Sequence, residues 1–574
     1  MVHYRVYYTH PHRHFISFEA RFNCKGIQSI QLQLPAWRPG RYELGNFSKN
    51  IRAWQSLDEN GKPLPFKKLN KDLWEVNCQS SNIVVIQYEY YAADLNAGSS
   101  YLDESQLYIN PVNCFFYDSS RPDTEYSIEF DLPSDYSIAT GMSKKSAHVL
   151  KADSFDQLAD CPIIASKELV TLEYEAENKK YYLHFQGEVK LDTERLLKEF
   201  KSFTLEQLKL FGGIPCREYH FLFHFLPYFV RHGVEHCNST VIAMGPAADF
   251  QQDHLFKDLL GISCHELFHT WNIKAIRPVE MMPYNFTEEN YTRSGFVAEG
   301  VTTYYGDYLL WRTGSFTNED WFDVLTESMQ THFDNPGRFN HSVADSSFDT
   351  WLDGYSPGIP WRKVSIYNEG FLIAFICDIW IRHASAGRFS LDDVMKQMYK
   401  IFGITGSGYT TKEYCDLLMH YGGPGISEII NKLIFGKEDY KPFLKSALSR
   451  VGLDLAEMPS PKISESAYGL IVEESNTKIT VQSVIRDSPA DLAGLWIGDE
   501  IVSIERTAPY KNFQLLLKMK LGASEWQILR KNKLQSVMIE ASASPVVLKY
   551  KITPKENPTT EMTAAFSSWK ASCQ

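Results

Sequence analysis

His265 and His269 enclose Glu266 in the run His265-Glu266-Leu267-Phe268-His269, and Glu299 follows 30 residues after the second histidine. On a helix, positions i and i+4 differ by about 40° and roughly 6 Å of rise, so both imidazoles face one point. Two neutral imidazoles and one carboxylate suit Zn²⁺, and three protein ligands leave a fourth position for water. Glu266 lies about 100° around the same helix, which keeps it off the ion but within reach of that water's proton. The pattern implies zinc-dependent hydrolysis.

The flanks strengthen this reading. Leu259, Leu260, Ile262, Leu267, Phe268 and Trp271 make the surrounding helix apolar and therefore buried. Burying His, Glu and His together costs free energy unless something compensates the polar groups, and a metal does so. For the third ligand, His332 lies beyond a different helix, and Glu280, Glu288 and Glu289 fall in a Pro- and Asn-bearing loop. Glu299 opens a second apolar helix, Phe296 to Trp311, that can pack antiparallel to the first. Zn²⁺ is therefore expected on His265, His269 and Glu299, one ion per chain, with Glu266 as general base.

These residues resemble a known family. His265 to Pro278 (HELFHTWNIKAIRP) and Ala298 to Tyr305 (AEGVTTYY) look like the M61 gluzincin peptidases, the glycyl aminopeptidase family, distantly similar to the M1 aminopeptidases. Pro35 to Tyr42 (PAWRPGRY) resembles the family's N-terminal signature, and Gly233-Val234-Glu235-His236 its substrate-amine motif, with His232 where a second Gly is expected. The resemblance implies that Gly233 and Glu235 bind substrate, Glu235 meeting the N-terminal ammonium of a peptide laid along an edge strand. It also makes Tyr367, in Tyr367-Asn368-Glu369-Gly370, a hydrogen-bond donor to the oxyanion, with Glu369 where the family has Lys. Tyr304 and Tyr305 are alternatives for that role. Ser488 to Ile504 resembles a PDZ domain, which would place Gly469 and Leu470 in a carboxylate-binding loop with free backbone N–H groups. A closed groove is the equal alternative there. A preference for N-terminal Gly or Ala is implied by the family alone.

The remaining sequence describes what must hold such a site. A chain of 574 residues allows three or four domains. The aromatic share of 14% fits aromatic-rich β layers, and the expected fold class is multidomain α+β. Residues 1–165 alternate like strands over His14 to Phe22, Ser29 to Trp37, Ile83 to Ala92 and Glu125 to Leu132, which predicts a β-sandwich-like domain. By resemblance this domain closes one side of the cleft, with the Leu95 to Asp103 loop approaching it. Residues 166–457 read as a thermolysin-like domain: a helix over Leu191 to Phe211, strands over Tyr219 to Leu226 and Gly233 to Met244, then a helical extension with Ser390 as a cap. Met458 to Pro461 reads as a linker, 458–545 as the PDZ domain and 546–574 as a mobile tail. Truncation after 458 should then leave a folded core.

A formal net charge of −12 with no long basic run argues against nucleic-acid and anionic-membrane partners. Ten scattered cysteines without a Cys-x-x-Cys pair indicate neither a disulfide framework nor a structural zinc site. The N-terminal residues alternate like a strand and lack the apolar core of a signal peptide, and Phe371 to Ile381 is too short to span a bilayer. A cytoplasmic location is expected. The expected partners are peptides or proteins with a free N-terminus, and a peptide at the PDZ groove. An endopeptidase on the same scaffold, and a PDZ-bearing scaffold with a vestigial metal site, are the competing functions.

Overall fold

The computed structural model describes residues 1–79, 81–356 and 358–571. It divides into two compact units: Met1–Trp321 with Pro336–Val451 and Thr559–Gln574, and Phe322–Asn335 with Gly452–Pro558.

In the first unit, strict alternation builds the N-terminal sheets. Val2, Tyr4 and Val6 point inward from the strand Val2–Tyr7, and Ile16, Phe18, Ala20 and Phe22 do so from Phe15–Asn23. These two strands pair antiparallel, and Ile83–Tyr91 extends the sheet. Phe18 stacks on Tyr88 at 4.9 Å and meets Phe115 edge-on, so aromatic area dominates this core. Smaller three- and four-stranded sheets complete the domain. The strand expected over Ser29 to Trp37 is shorter than its pattern, Ser29–Gln33, because Pro35 cannot continue a ladder.

A five-stranded mixed sheet follows, in spatial order Val170–Ala176, Lys179–Gln186, Glu218–Phe225, Ser239–Gly245, Val230–Glu235. The stretch expected as one strand, Gly233 to Met244, is two. Glu235 ends the edge strand, and the chain reverses through His236, Cys237 and Asn238, with His236 N–H donating to Ser239 O at 2.9 Å. The expected helix over Leu191 to Phe211 is Thr193–Phe211, capped by Asp192.

Two buried helices carry the expected ligands. The first, Asp253–Phe268, buries Leu255, Leu259, Leu260 and Leu267. The second opens as a π-helical turn, Phe296–Val301, and continues as Thr302–Thr313. Its Gly300 abuts Gly370 on the helix Ile366–Ala384 so closely that a Cβ on either residue would collide with the other's backbone. Ser390 caps Leu391–Met398 in a full capping box with Asp393, as its sequence suggests.

The C-terminal expectations need correction. The supposed linker is the end of a strand, Leu453–Pro459, paired antiparallel with Leu548–Pro554 inside the second unit. That unit also holds a five-stranded antiparallel sheet from Leu470–Glu474 to Lys533–Ile539 around Tyr468, Leu470, Ile501 and Trp526. The expected tail, 546–574, is not loose over its described residues, 546–571. Beyond the strand, the helix Thr560–Lys570 belongs to the first unit, with Trp569 fully buried 4.8 Å from the Trp311 ring. Tyr308 donates to Trp569 O at 2.6 Å, and Trp569 Nε1 donates to Tyr304 Oη at 3.2 Å. One aromatic anchor thus ties a polar segment into the core. No helix among the described residues is long and apolar enough to cross a membrane.

Candidate metal and catalytic centre

The histidine helix brings His265 Nε2 and His269 Nε2 to 3.0 Å, and the π-helical turn sets Glu299 Oε2 3.5 Å from His269 Nε2. Ligand atoms of the three lie within 4.8 Å of one another. Two ligands at zinc distances and a tetrahedral angle stand about 3.3 Å apart, so the cluster fits the ion in spacing and donor type. His269 Nδ1 lies 2.9 Å from Asn272 O; a carbonyl only accepts, so Nδ1 carries the proton and Nε2 turns its lone pair to the cluster. Burial alone would push the His269 imidazole down, but Glu299, Glu235 and Glu266 raise it to about 10. The surroundings favour positive charge at this point.

Tyr42 closes the outer side by donating to Glu299 Oε1 at 3.0 Å. It lies in the Pro35 to Tyr42 segment, and no local pattern marks its contact with Glu299, 257 positions away.

Glu266 is 5% exposed and takes a long hydrogen bond, 3.5 Å, from Thr240 Oγ1. Burial raises its carboxyl well above the ordinary carboxylate range, as suits a group that must hold a proton in turn. Gly233 faces it on the edge strand, and a Cβ there would occupy the position of Glu266 Oε1.

Glu235, at the end of the edge strand, is 4% exposed, and its Oε1 has no hydrogen-bond partner among the described residues. Gly40, at φ +79°, passes behind it where any side chain would strike Glu235 Oε2. Glu235, Glu266 and His269 also converge within 4.8 Å as a second potential ligand group. That set leaves out His265, whose ring nitrogen already faces His269, and so fits an ion less well.

Tyr367 and Tyr355 line the cleft with their hydroxyls 3.4 Å apart. Burial, then the charge of Glu299, pushes the Tyr367 phenol up, which keeps it a donor. Tyr304 and Tyr305 are committed elsewhere, to Asp378 and Asp392, each at 2.8 Å. Glu369 is buried and hydrogen-bonds Tyr440. The cleft holds about 340 Å³.

One residue that sequence reasoning missed ties these pieces together. Asp160, just past the short helix Phe155–Ala159, takes Lys274 Nζ at 2.6 Å, Cys237 N–H at 2.8 Å and His236 Nδ1 at 3.1 Å. His236 follows Glu235, and Lys274 N–H donates to His269 O at 3.1 Å. In the second unit, Gly469 departs from the expected free loop: its N–H donates to Glu465 O at 3.0 Å, while Leu470 pairs with Val484.

Residues 3–167 match the family model of the Peptidase M61 N-terminal domain, and residues 258–373 match that of the M61 glycyl aminopeptidase. Over these two segments the chain is similar to the Peptidase M61 family. It is similar throughout to a crystal structure described as an aminopeptidase N family protein from Idiomarina loihiensis, with 25% identity, a TM-score of 0.91 and 100% of both chains covered. An M1 zinc metallopeptidase from Deinococcus radiodurans aligns over 76% of this chain and 94% of its own, at 12% identity and a TM-score of 0.48. Yeast LTA4 hydrolase in complex with bestatin aligns over 77% and 66%, at 14% identity and 0.44. At such scores the last two bear on no residue here. No curated protein matches the chain in sequence.

Proposed function

We propose that this chain is a zinc aminopeptidase that removes small N-terminal residues, Gly or Ala, from peptides. The observation that carries the reading is the buried, unpartnered Glu235 Oε1 at the end of an edge strand, beside the three-donor cluster. A buried carboxylate oxygen without a donor is costly, and a substrate ammonium would satisfy it with a charge-assisted hydrogen bond. His265, His269 and Glu299 would hold one Zn²⁺ per chain. Zinc in that position polarises a carbonyl group and acidifies water. The match to a glycyl aminopeptidase model supports the small-residue preference.

In this reading the peptide pairs with the edge strand, its amine at Glu235 and its first carbonyl over the histidines. Gly233 leaves room for Glu266, which takes a proton from the attacking water and passes it to the departing amine. Tyr367 Oη donates to the oxygen that gains charge. Asp160 holds the strand end and the segment after His269 in register. We read the second unit as a PDZ-type module whose loop is closed at Gly469, so peptide capture there is no part of this account. A cytoplasmic setting suits the free thiols of Cys24 through Cys415.

Metal analysis of the purified protein together with hydrolysis of Gly- and Ala-arylamides tests the proposal. One zinc per chain, with activity lost to a chelator and restored by zinc, is the expected result. A metal-free protein that hydrolyses neither arylamide after zinc is supplied would refute it. An endopeptidase on the same scaffold would have no use for the buried Glu235, and a scaffold with a vestigial metal site none for Glu266.

A further inference from the structure

Arg38 is a second buried charge near the cleft, of the opposite sign and without an ion-pair partner among the described residues. It is 4% exposed, and among the described residues no carboxylate lies within ion-pair distance of its guanidinium. Its recorded contacts are Pro39 O at 3.3 Å and His232 Nε2 at 3.4 Å, which leaves most of its five N–H donors without a protein acceptor. Neighbouring Arg41, by contrast, is paired with Glu43 at 2.7 Å. Burial works against the Arg38 charge and lowers it from its ordinary value. Glu235 acts on this charge only from beyond ion-pair distance, and a buried cation with no carboxylate in contact is expensive, so its persistence calls for an anion that arrives from outside.

The surroundings are built for one. Arg38 lines a cavity of about 400 Å³, with Ser99, Ser100 and Asn113 among the other walls. The guanidinium lies against Gly98, where any Cβ would overlap it. This glycine fixes where the fork sits. His232 lines the main cleft while Arg38 lines the cavity, so the two spaces adjoin at the contact between them.

Strand geometry identifies the anion. Glu235 is the last residue of the edge strand, so a peptide paired with that strand, its amine at Glu235, runs toward Val230. His232 is three positions back, about 10 Å at strand spacing, which is also about the span of three extended residues. We infer that Arg38, set by Gly98 and His232, is a carboxylate subsite that reads the far end of a short peptide of about three residues. The inference rests on Glu235 as the amine anchor. The carboxylate is either the peptide's C-terminus or an acidic side chain at the third residue, since both present the planar, bidentate partner that a guanidinium fork matches.

The test compares kcat/KM for Gly-Ala-Ala, Gly-Ala-Ala-amide and Gly-Ala-Asp-amide on the zinc-loaded enzyme, its Arg38→Lys variant, which keeps the charge but not the fork, and its Gly98→Ala variant, which displaces the fork without changing the charge. The native enzyme should favour a carboxylate-bearing peptide over Gly-Ala-Ala-amide by tenfold or more, and both variants should bring that ratio toward one. Preference for the free acid identifies the C-terminus; preference for the Asp amide identifies the side chain. Equal rates on all three peptides, or a preference that survives both substitutions, would overturn the inference while leaving the aminopeptidase reading intact. If no peptide is cleaved, that reading fails instead. Calorimetric binding of the same peptides to the Glu266→Gln protein, with and without Arg38→Lys, then decides the subsite by the same ratio.

Discussion

Gly233 and Glu266 share one volume: the carboxylate of Glu266 occupies the space that a side chain at 233 would fill. The edge strand and the histidine helix approach each other at that point, so the residue at 233 also sets the position of the Glu266 carboxylate.

Gly233→Ala is therefore expected to push Glu266 aside and lower kcat on the order of 10²-fold, the cost of misplacing a catalytic group by about 1 Å. Zinc content should not change, because His265, His269 and Glu299 are untouched. Steady-state kinetics beside metal analysis checks both halves. A variant with native kcat would show that Glu266 is not held by this contact.

Glu266→Gln keeps the shape of the side chain and removes its basicity. The rate should fall on the order of 10²- to 10⁴-fold with one zinc retained. His269→Ala and Glu299→Ala should instead lose the metal. Equal zinc loss in all three variants would make Glu266 a ligand rather than a base.

Trp569 gives a prediction opposite to the one its sequence context suggests. Removing residues 559–574 takes a fully buried indole out of the cluster with Trp311, Tyr308 and Trp321 and leaves Tyr308 Oη without its carbonyl acceptor. Trp569→Ala alone should cost about 3–5 kcal/mol. Denaturant unfolding monitored at the catalytic unit reads this directly. A truncation at 458 as stable as the full chain would contradict the packing described.

Asp160 links stability to pH. Burial alone would raise its carboxyl, but Lys274 and His236 overcome that and hold it below the usual carboxylate range. A depressed carboxyl stabilises the fold above its unfolded value of about 4 and loses that contribution as pH falls further. Asp160→Asn, which strands the buried Lys274 ammonium, should cost about 3–5 kcal/mol at pH 7 and about 1 kcal/mol less near pH 3, where the unfolded carboxyl has begun to take up its proton and the folded one has not. Equal losses at both pH values would mean that the pair does not carry the charge coupling.

The parts of this molecule that were legible in its sequence are those governed by a period. The i, i+4 histidines, the apolar helix that opens at Glu299, the alternation of Phe15–Asn23 and the Ser390 cap all follow from local geometry. What escaped depends on contacts between distant segments. Tyr42 on Glu299, Gly40 behind Glu235 and Asp160 under the strand end leave no local pattern. The π-helical turn at Phe296–Val301 has the same hydrophobic signature as an α-helix. The hairpin at His236 to Asn238 hid because neither Gly nor Pro marks the turn; a carboxylate from another domain binds the Cys237 N–H instead. Trp569 was missed for a related reason, since one aromatic residue in a Thr- and Ser-rich stretch gives no periodicity.

The proposed aminopeptidase activity depends on Glu235 holding a substrate's free amine. The most direct measurement is kcat/KM of the zinc-loaded enzyme for a Gly-initiated peptide and its N-acetylated form, repeated with Glu235→Ala. Loss of a charge-assisted hydrogen bond in a buried site is worth about 1.5–3 kcal/mol. The native enzyme should thus prefer the free amine by tenfold or more, and Glu235→Ala should erase that preference by slowing the free peptide. Equal turnover of free and acetylated peptides by the native enzyme would contradict the claim and make this chain an endopeptidase.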